Sequence, residues 1–403
     1  MYIIYYIMGG GLMQLVAMGA QDVFLTGNPQ ITFFKVMYKR HTNFSKECIE
    51  QEFNGNASFG GNATCTLARN GDLVQEIYVK MSYKLDARGW TSSGSSHVNK
   101  RDVNELIEHV EVEIGGQKID KHYSQWLDIY NELFETNHDY SKLLRFPPTT
   151  IVKAAATAAG VTATSGQDTD SGQMYIPLRF WFNRNAGLAL PLIALQYHEV
   201  KINVKFLPMV VASTYVKDLK SSLMVNYIYL DTDERRRFAQ VSHEYLIEQV
   251  QHTGSEELKA QTKLDLNFNH PVKALLWTTD DAHVTKAKLQ LNGHDRFSEQ
   301  EGDYFHLLQP YECGLGHSHS LTKSTRAWDA VKRNATENPV GMYSFCLKPG
   351  EHQPSGSCNF SRIDNAKLHL TNSVGTSPKI WVFALNYNVL RIMSGMGGLT
   401  YSN

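Results

Sequence analysis

Three residues of this chain have the types and spacing of a metal site: Cys313, His317 and His319. A thiolate and two imidazoles suit zinc, and on an extended strand the three positions share one parity and face one side. Gly314 and Gly316 instead make the segment a loop, two histidines at i and i+2 do not close a site, and no fourth ligand stands nearby. Solvated loop histidines are the simpler reading, so no metal and no other cofactor is expected. Asp231, Asp233 and Glu234 could gather a divalent cation, but they stand beside Arg235, Arg236 and Arg237 where a helix begins. Acidic residues there offset the helix dipole, Asp231 and Glu234 have capping-box spacing, and three arginines in a neutral chain form a solvated face. No Gly-rich phosphate loop, nucleophile elbow or H-E-x-x-H occurs, so no catalytic residue is assigned and the chain is not expected to be an enzyme. Asn43, Asn56, Asn62, Asn334 and Asn359 each head an N-x-S/T triplet. They are glycan acceptors if the chain meets the glycosylating machinery, and loop asparagines otherwise.

Composition narrows the class of work further. At 403 residues the chain suits two domains of roughly 150–200 residues, each able to bury a core. With 42% hydrophobic and 20% charged residues, most of the length is globular rather than disordered. A net charge of −1 supplies no positive field for coating a genome, which argues against direct nucleic-acid binding. The five cysteines are an odd number without C-x-x-C spacing, a usage that fits a reducing compartment.

The elements that must carry these residues repeat. V-E-V-E-I-G-G-Q-K-I-D from Val110 and A-K-L-Q-L-N-G-H-D-R-F from Ala287 both read as β-hairpins, turning at Gly115-Gly116 and Asn292-Gly293. E-V-K-I-N-V-K from Glu199 has its counterpart in N-A-K-L-H-L from Asn365. Ile114 and Leu291 lie 177 positions apart, and Val204 and Leu370 lie 166 apart. The difference places an 11-residue insertion in the first copy, and the Ala/Thr/Ser/Gly tract at 149–172 is expected to hold it in a surface loop. The chain therefore reads as two copies of one all-β unit.

Other strands follow from composition. The aromatic and β-branched run I-T-F-F-K-V-M-Y at 31–38 reads as the first strand, and Asn70-Gly71 as a type I′ turn into a strand at 73–83. There Ile77, Val79, Met81 and Tyr83 share one face and Glu76, Tyr78, Lys80 and Ser82 the other, as in a half-buried sandwich strand. Ser124 is expected to cap a helix whose Trp126, Leu127, Tyr130, Leu133 and Phe134 fall at helical spacing, a lid over the sandwich. The helix starting at Asp231 is expected to joint the two units. Strands at 244–250 and 379–392 open and close the second.

The ends differ from the middle. Residues 1–20 carry no charged side chain, a length that could span a bilayer or act as a signal. There is no basic n-region, Gly9-Gly10-Gly11 breaks the run and Gln14 sits inside it, so a buried or self-associating arm is the better reading. Met8-Gly9 suggests myristoylation after an internal start, but Met13 occupies the position that wants Ser or Thr. The Gly- and Ser-rich tail at 393–403 looks built to meet something else.

Longer strings carry a family resemblance. G-G-G-L-M-Q-L-V-A-M-G-A-Q-D-V-F-L-T-G from Gly9, P-Q-I-T-F-F-K-V-M-Y-K-R-H-T-N-F-S from Pro29, L-D-T-D-E-R-R-R-F-A-Q from Leu230, H-E-Y-L-I-E-Q from His243, P-S-G-S-C-N-F-S-R-I-D from Pro354 and N-Y-N-V-L-R-I-M-S-G from Asn386 resemble the major capsid proteins of nucleocytoplasmic large DNA viruses. Residues 1–7 precede the usual family start. The resemblance covers essentially the whole chain and implies an all-β double jelly roll, two consecutive eight-stranded sandwiches with a few short helices in loops. With the punctuation at Gly27-Asn28-Pro29 and the helix start at Asp231, the chain divides into an apolar arm (1–26), a first jelly roll (27–232) and a second with a C-terminal tail (233–403). The resemblance also implies a homotrimer forming pseudo-hexagonal capsomers that tile an icosahedral virion shell assembled in the host cytoplasm, with minor capsid proteins and an inner membrane at the capsomer base.

Two other classes fit a duplicated sandwich. A cupin-like metal enzyme would need a carboxylate soon after its H-x-H, and His319 is followed by Ser320-Leu-Thr-Lys-Ser324, while the first unit has no H-x-H at all. A secreted glycan-binding sandwich would need a cleaved signal at the N-terminus.

Overall fold

Alternating side chains fix the strands of this protein, a computed structural model of which describes residues 19–85, 106–135, 143, 171–208, 216–279, 284–315, 340–372 and 378–401. Among the described residues eight main strands form the first sandwich, β1 (Phe44–Glu52), β2 (Asn62–Thr66), β3 (Leu73–Leu85), β4 (Ile107–Ile114), β5 (Gln117–Tyr123), β6 (Ser171–Pro177), β7 (Val200–Phe206) and β8 (Val216–Leu230), with the two-residue pieces Asn54–Gly55 beside β2 and Leu190–Pro191 beside β3. Eight more form the second: β9 (His243–Glu257), β10 (Gln261–Asp265), β11 (Pro271–Thr279), β12 (Val284–Leu291), β13 (His294–Asp295), β14 (Gly341–Ser344), β15 (Ala366–Asn372) and β16 (Lys379–Met393), with β17 (Met396–Leu399) folded back on β16 and the two-residue pieces Gln300–Glu301 beside β12 and Cys358–Asn359 beside β11. Helices are short: α1 (Ser124–Leu133), α2 (Trp181–Arg184) and α3 (Thr232–Gln240).

The sheets of the first sandwich run β1-β8-β3-β6 and β2-β7-β4-β5, and those of the second run β9-β16-β11-β14 and β10-β15-β12-β13. Adding eight to every number of the first pair gives the second, and all these pairings are antiparallel. That order is the jelly roll, in which long connections carry the chain from one sheet to the other so that each core is closed between two sheets. The repeat holds to the residue. Ile114 pairs with Val200 and Leu291 with Ala366, while Val110 pairs with Val204 and Ala287 with Leu370.

Both hairpins form as expected. Gly115 and Gly116 have φ of 58° and 85°, and Asn292 and Gly293 have 49° and 81°, the paired positive values that a type I′ turn demands. On β3, Ile77, Val79 and Met81 are fully buried, and Glu76, Tyr78, Lys80 and Ser82 are partly exposed. They join Val110, Val112, Ile202, Val204 and Val225 in the first core, and Leu275, Trp277, Leu289, Leu368, Val382 and Ala384 carry the second.

Three expectations fail. Residues 31–38 form no strand: their large side chains are exposed and they pair with nothing as a ladder. The chain divides into two compact units, Met1–Asn43 and Phe44–Asn403, and residues 31–38 belong to the first. Strand propensity without a partner edge to supply hydrogen bonds does not make a strand. Asn70-Gly71 makes no I′ turn, since neither residue has a positive φ and β2 and β3 lie in different sheets. Gly71 is small there because a Cβ would stand 2.8 Å from that of Tyr227. Ser124 does not cap α1. It is the buried first residue of the helix, which β5 enters directly through Tyr123 with no side-chain cap. The insertion expected at 149–172 falls, but for Ser171 and Gly172, outside the described residues, as do residues 1–18.

Candidate functional site at the joint and on the exposed surfaces

What makes one body of two sandwiches is a helix of the first seated on the second. Trp126, Ile129 and Leu133 of α1 pack on Ala274 and Leu276 of β11, Met342 of β14, and Phe383 and Leu385 of β16. These are the outward residues of a sheet whose other face already lines the second core. Two-sided burial is why β11 and β16 read L-L-W and W-V-F-A-L without alternation, a signal the sequence reading passed over and from which a covered outer face could have been found. The helix at Asp231, expected to be the joint, is only its covalent link: α3 has no buried residue. Asp231 caps it by accepting from Thr232 N at 2.8 Å, and Arg235 Nε donates to Asp72 Oδ1 at 2.8 Å.

Polar contacts fix the angle of the joint. Asp120 Oδ1 accepts from Val250 N at 3.1 Å, the Gln249 side-chain amide donates to the Ile119 carbonyl, and Asn388 Nδ2 donates to Gln249 Oε1 at 2.9 Å. His122 Nε2 stands 2.9 Å from Asp120 Oδ2, with its ring stacked on Phe180 at 4.4 Å between centroids. Burial holds the His122 imidazole below its ordinary pKa, against the pull of Asp120. His252, stacked on Phe383 at 4.5 Å, is lowered by burial too, against its backbone bond to Val382.

The C-terminal tail meets its own chain. β17 turns back through Ser394 and Gly395 and reaches the first sandwich: Tyr197 N donates to the Gly395 carbonyl at 3.0 Å, and Leu399 N to Gln117 Oε1 at 3.3 Å. Leu399 packs against the first core, beside Leu390 and Ile392 of β16.

Exposed apolar side chains mark the other candidate surface. In the unit Met1–Asn43, Phe24 is 92% exposed, Phe34 98% and Tyr38 86%. On the second sandwich Leu307, Leu308, Tyr311 and Leu347 are also open to solvent.

The residues singled out for chemistry are scattered. Cys313 sits at the end of a helical turn, partly buried beside Val340 and Met342, and burial pushes its thiol pKa up. His317 and His319 lie outside the described residues, and so does Asn334. Asn43, Asn56, Asn62 and Asn359 are all exposed. Asn56 Oδ1 accepts from Ser58 Oγ at 2.5 Å, Asn62 opens β2 opposite Lys205, and Asn359 Oδ1 accepts from Ser361 N at 3.0 Å.

Comparison with known proteins fits this architecture. The family described as "Major capsid protein N-terminus" matches residues 32–244, and "Large eukaryotic DNA virus major capsid protein" matches 234–283 and 322–398. The major capsid protein of Pyramimonas orientalis virus is 54% identical over 98% of this chain and 100% of its own length. That of Paramecium bursaria Chlorella virus 1 is 40% identical, with the same coverage. Among solved structures, a chain of the PBCV-1 virus capsid superposes with a TM-score of 0.75 at 35% identity, covering 92% of this chain and 100% of that one. The Faustovirus major capsid protein reaches 0.68 at 12% identity, covering 93% and 94%, a likeness of fold alone.

Proposed function

We propose that this chain, which belongs to the major capsid protein family of large eukaryotic DNA viruses, works as a homotrimer whose pseudo-hexagonal capsomers tile an icosahedral shell. It is a structural protein of the virion and not an enzyme, as are the capsid proteins that match it end to end. The observation that carries the trimer is the repeated strand order with its packed joint. Two like wedges held at a fixed angle, turned three times about an axis, give six wedges and a nearly hexagonal outline that packs in a plane. Duplication replaces a hexamer by a trimer, and the 11-residue difference in spacing between the repeats makes the hexagon approximate. The division into arm (1–26), first jelly roll (27–232) and second jelly roll with tail (233–403) belongs to this proposal.

The partners follow from the same reading. Neighbouring capsomers meet edge to edge, and the arm serves the capsomer base, against minor capsid proteins or an inner membrane. Its exposed Phe24 supports that role. Assembly in the host cytoplasm suits five free cysteines with no framework. Asn56, Asn62 and Asn359 are the acceptors we would examine first for glycan, since each lies exposed on a sandwich. Size-exclusion chromatography with light scattering tests the trimer. The expected mass is three times the 45.6 kDa of one chain, and a stable monomer would overturn it.

A further inference from the structure

β1 is the end strand of its sheet. It pairs with β8 along one side, and among the described residues no strand runs along the other. A long exposed edge offers its backbone N–H and C=O groups to any strand that reaches it, and folded proteins guard such an edge by covering or charging it. This one is charged, with Glu47, Glu50 and Glu52 against Lys46. Lys80 Nζ lies 2.9 Å from Glu50, Lys46 lies 3.8 Å from Glu76, and Glu47 accepts from the Tyr229 hydroxyl at 2.9 Å. Among the described residues Glu47 and Glu52 therefore meet no cation.

Residues 35–40, K-V-M-Y-K-R, have the complementary needs. All six are exposed, the chain makes no turn from Val36 onward, and the run joins no ladder within its own chain. Lys35, Lys39 and Arg40 meet no carboxylate among the described residues. Lys35 and Arg40 lie five positions apart, as do Glu47 and Glu52, a span of about 17 Å in an extended strand. Antiparallel pairing sets Lys35 opposite Glu52 and Arg40 opposite Glu47. The same register sets Val36 and Tyr38 opposite Gln51 and Ile49, the half-buried residues of β1, of which Ile49 packs on the first core. Met37 and Lys39 then fall opposite Glu50 and Cys48 on the solvent face. Parallel pairing would match the charges too, but it would turn Val36 and Tyr38 out to water.

We propose that residues 35–40 of one copy add to β1 of the next as an antiparallel edge strand, an inference that rests on the trimer reading and names its contact. Each copy gives its segment and receives another's, and three such head-to-tail contacts close a ring. The second copy supplies the partner edge that this strand-forming run lacks in a single chain. Cysteine pairing tests the register, because side chains directly opposite on paired strands come within reach of a disulfide. Lys39→Cys and Tyr38→Cys, both at exposed positions, are purified, sized by light scattering and oxidised with diamide. Non-reducing gels of Lys39→Cys should show covalently linked chains, with the 39–48 disulfide found by peptide mass spectrometry and lost on adding Cys48→Ser. Tyr38→Cys, on the other face, should link at least ten-fold less. A trimer in which Lys39→Cys stays unlinked, links no better than Tyr38→Cys, or links only within one chain overturns this contact and leaves the trimer standing. A monomer in light scattering overturns both.

Discussion

Single side chains do their work here through burial. Trp126 is wholly buried on the second sandwich's sheet, and Trp126→Ala is expected to cost about 3–5 kcal/mol in urea unfolding, the range for emptying a large aromatic site. His122 gives a pH dependence with a definite sign. Its folded pKa lies below the ordinary 6.5, so the native state keeps it neutral while the unfolded chain takes up a proton. The stability it contributes is present above about pH 6.5 and is lost as pH falls below it. His252 is shifted the same way. Urea midpoints at pH 7.5 and 5 should therefore fall in the wild type and fall less in His122→Gln, and an equal fall would show that His122 is not held neutral. Much at this scale was legible: Ile77, Val79 and Met81 announce their face by alternation. The partners of His122, Arg184 and Glu248 were not, because they come from segments far apart in sequence that only the joint brings together.

Hairpins and helices show which local signals survive tertiary contact. Gly-Gly at 115–116 and Asn-Gly at 292–293 act as read, because both turn residues take positive φ and the flanking strands pair. Gly116→Val and Gly293→Val are each expected to lower stability by about 1–2 kcal/mol, the cost of a side chain in the left-handed region. Nothing stands within 4 Å of a Cβ at either site, so the loss should come from backbone strain alone, and Gly→Asn at the same positions should cost less. Asn70-Gly71 has the same letters and another use, the close pass beneath Tyr227. Local sequence does not tell whether the next strand pairs with the last or crosses to the other sheet. The tail at β17 is the element whose role was read least well. Its contacts with Tyr197 and Gln117 predict that a chain ending at Met393 shows faster hydrogen exchange at the β4–β5 turn, and unchanged exchange there would deny the clasp.

At the scale of the molecule, the duplication was visible in the spacing of its repeats, and the strand orders of the two sandwiches bear it out. The joint was hidden because a helix seated on a foreign sheet leaves no periodic signal of its own, only the loss of alternation in β11 and β16. The N-terminal unit is a separate matter. Residues Met1–Asn43 form their own unit with exposed aromatics, so their removal is expected to leave the sandwiches folded by circular dichroism and to abolish flotation with phospholipid vesicles. Flotation that survives the deletion would place the apolar surface elsewhere. The central claim is that two like wedges per chain make six per trimer. Electron-microscope class averages of the purified protein test it most directly: six-lobed particles of nearly hexagonal outline with threefold symmetry are the predicted result, and isolated two-lobed particles would contradict it.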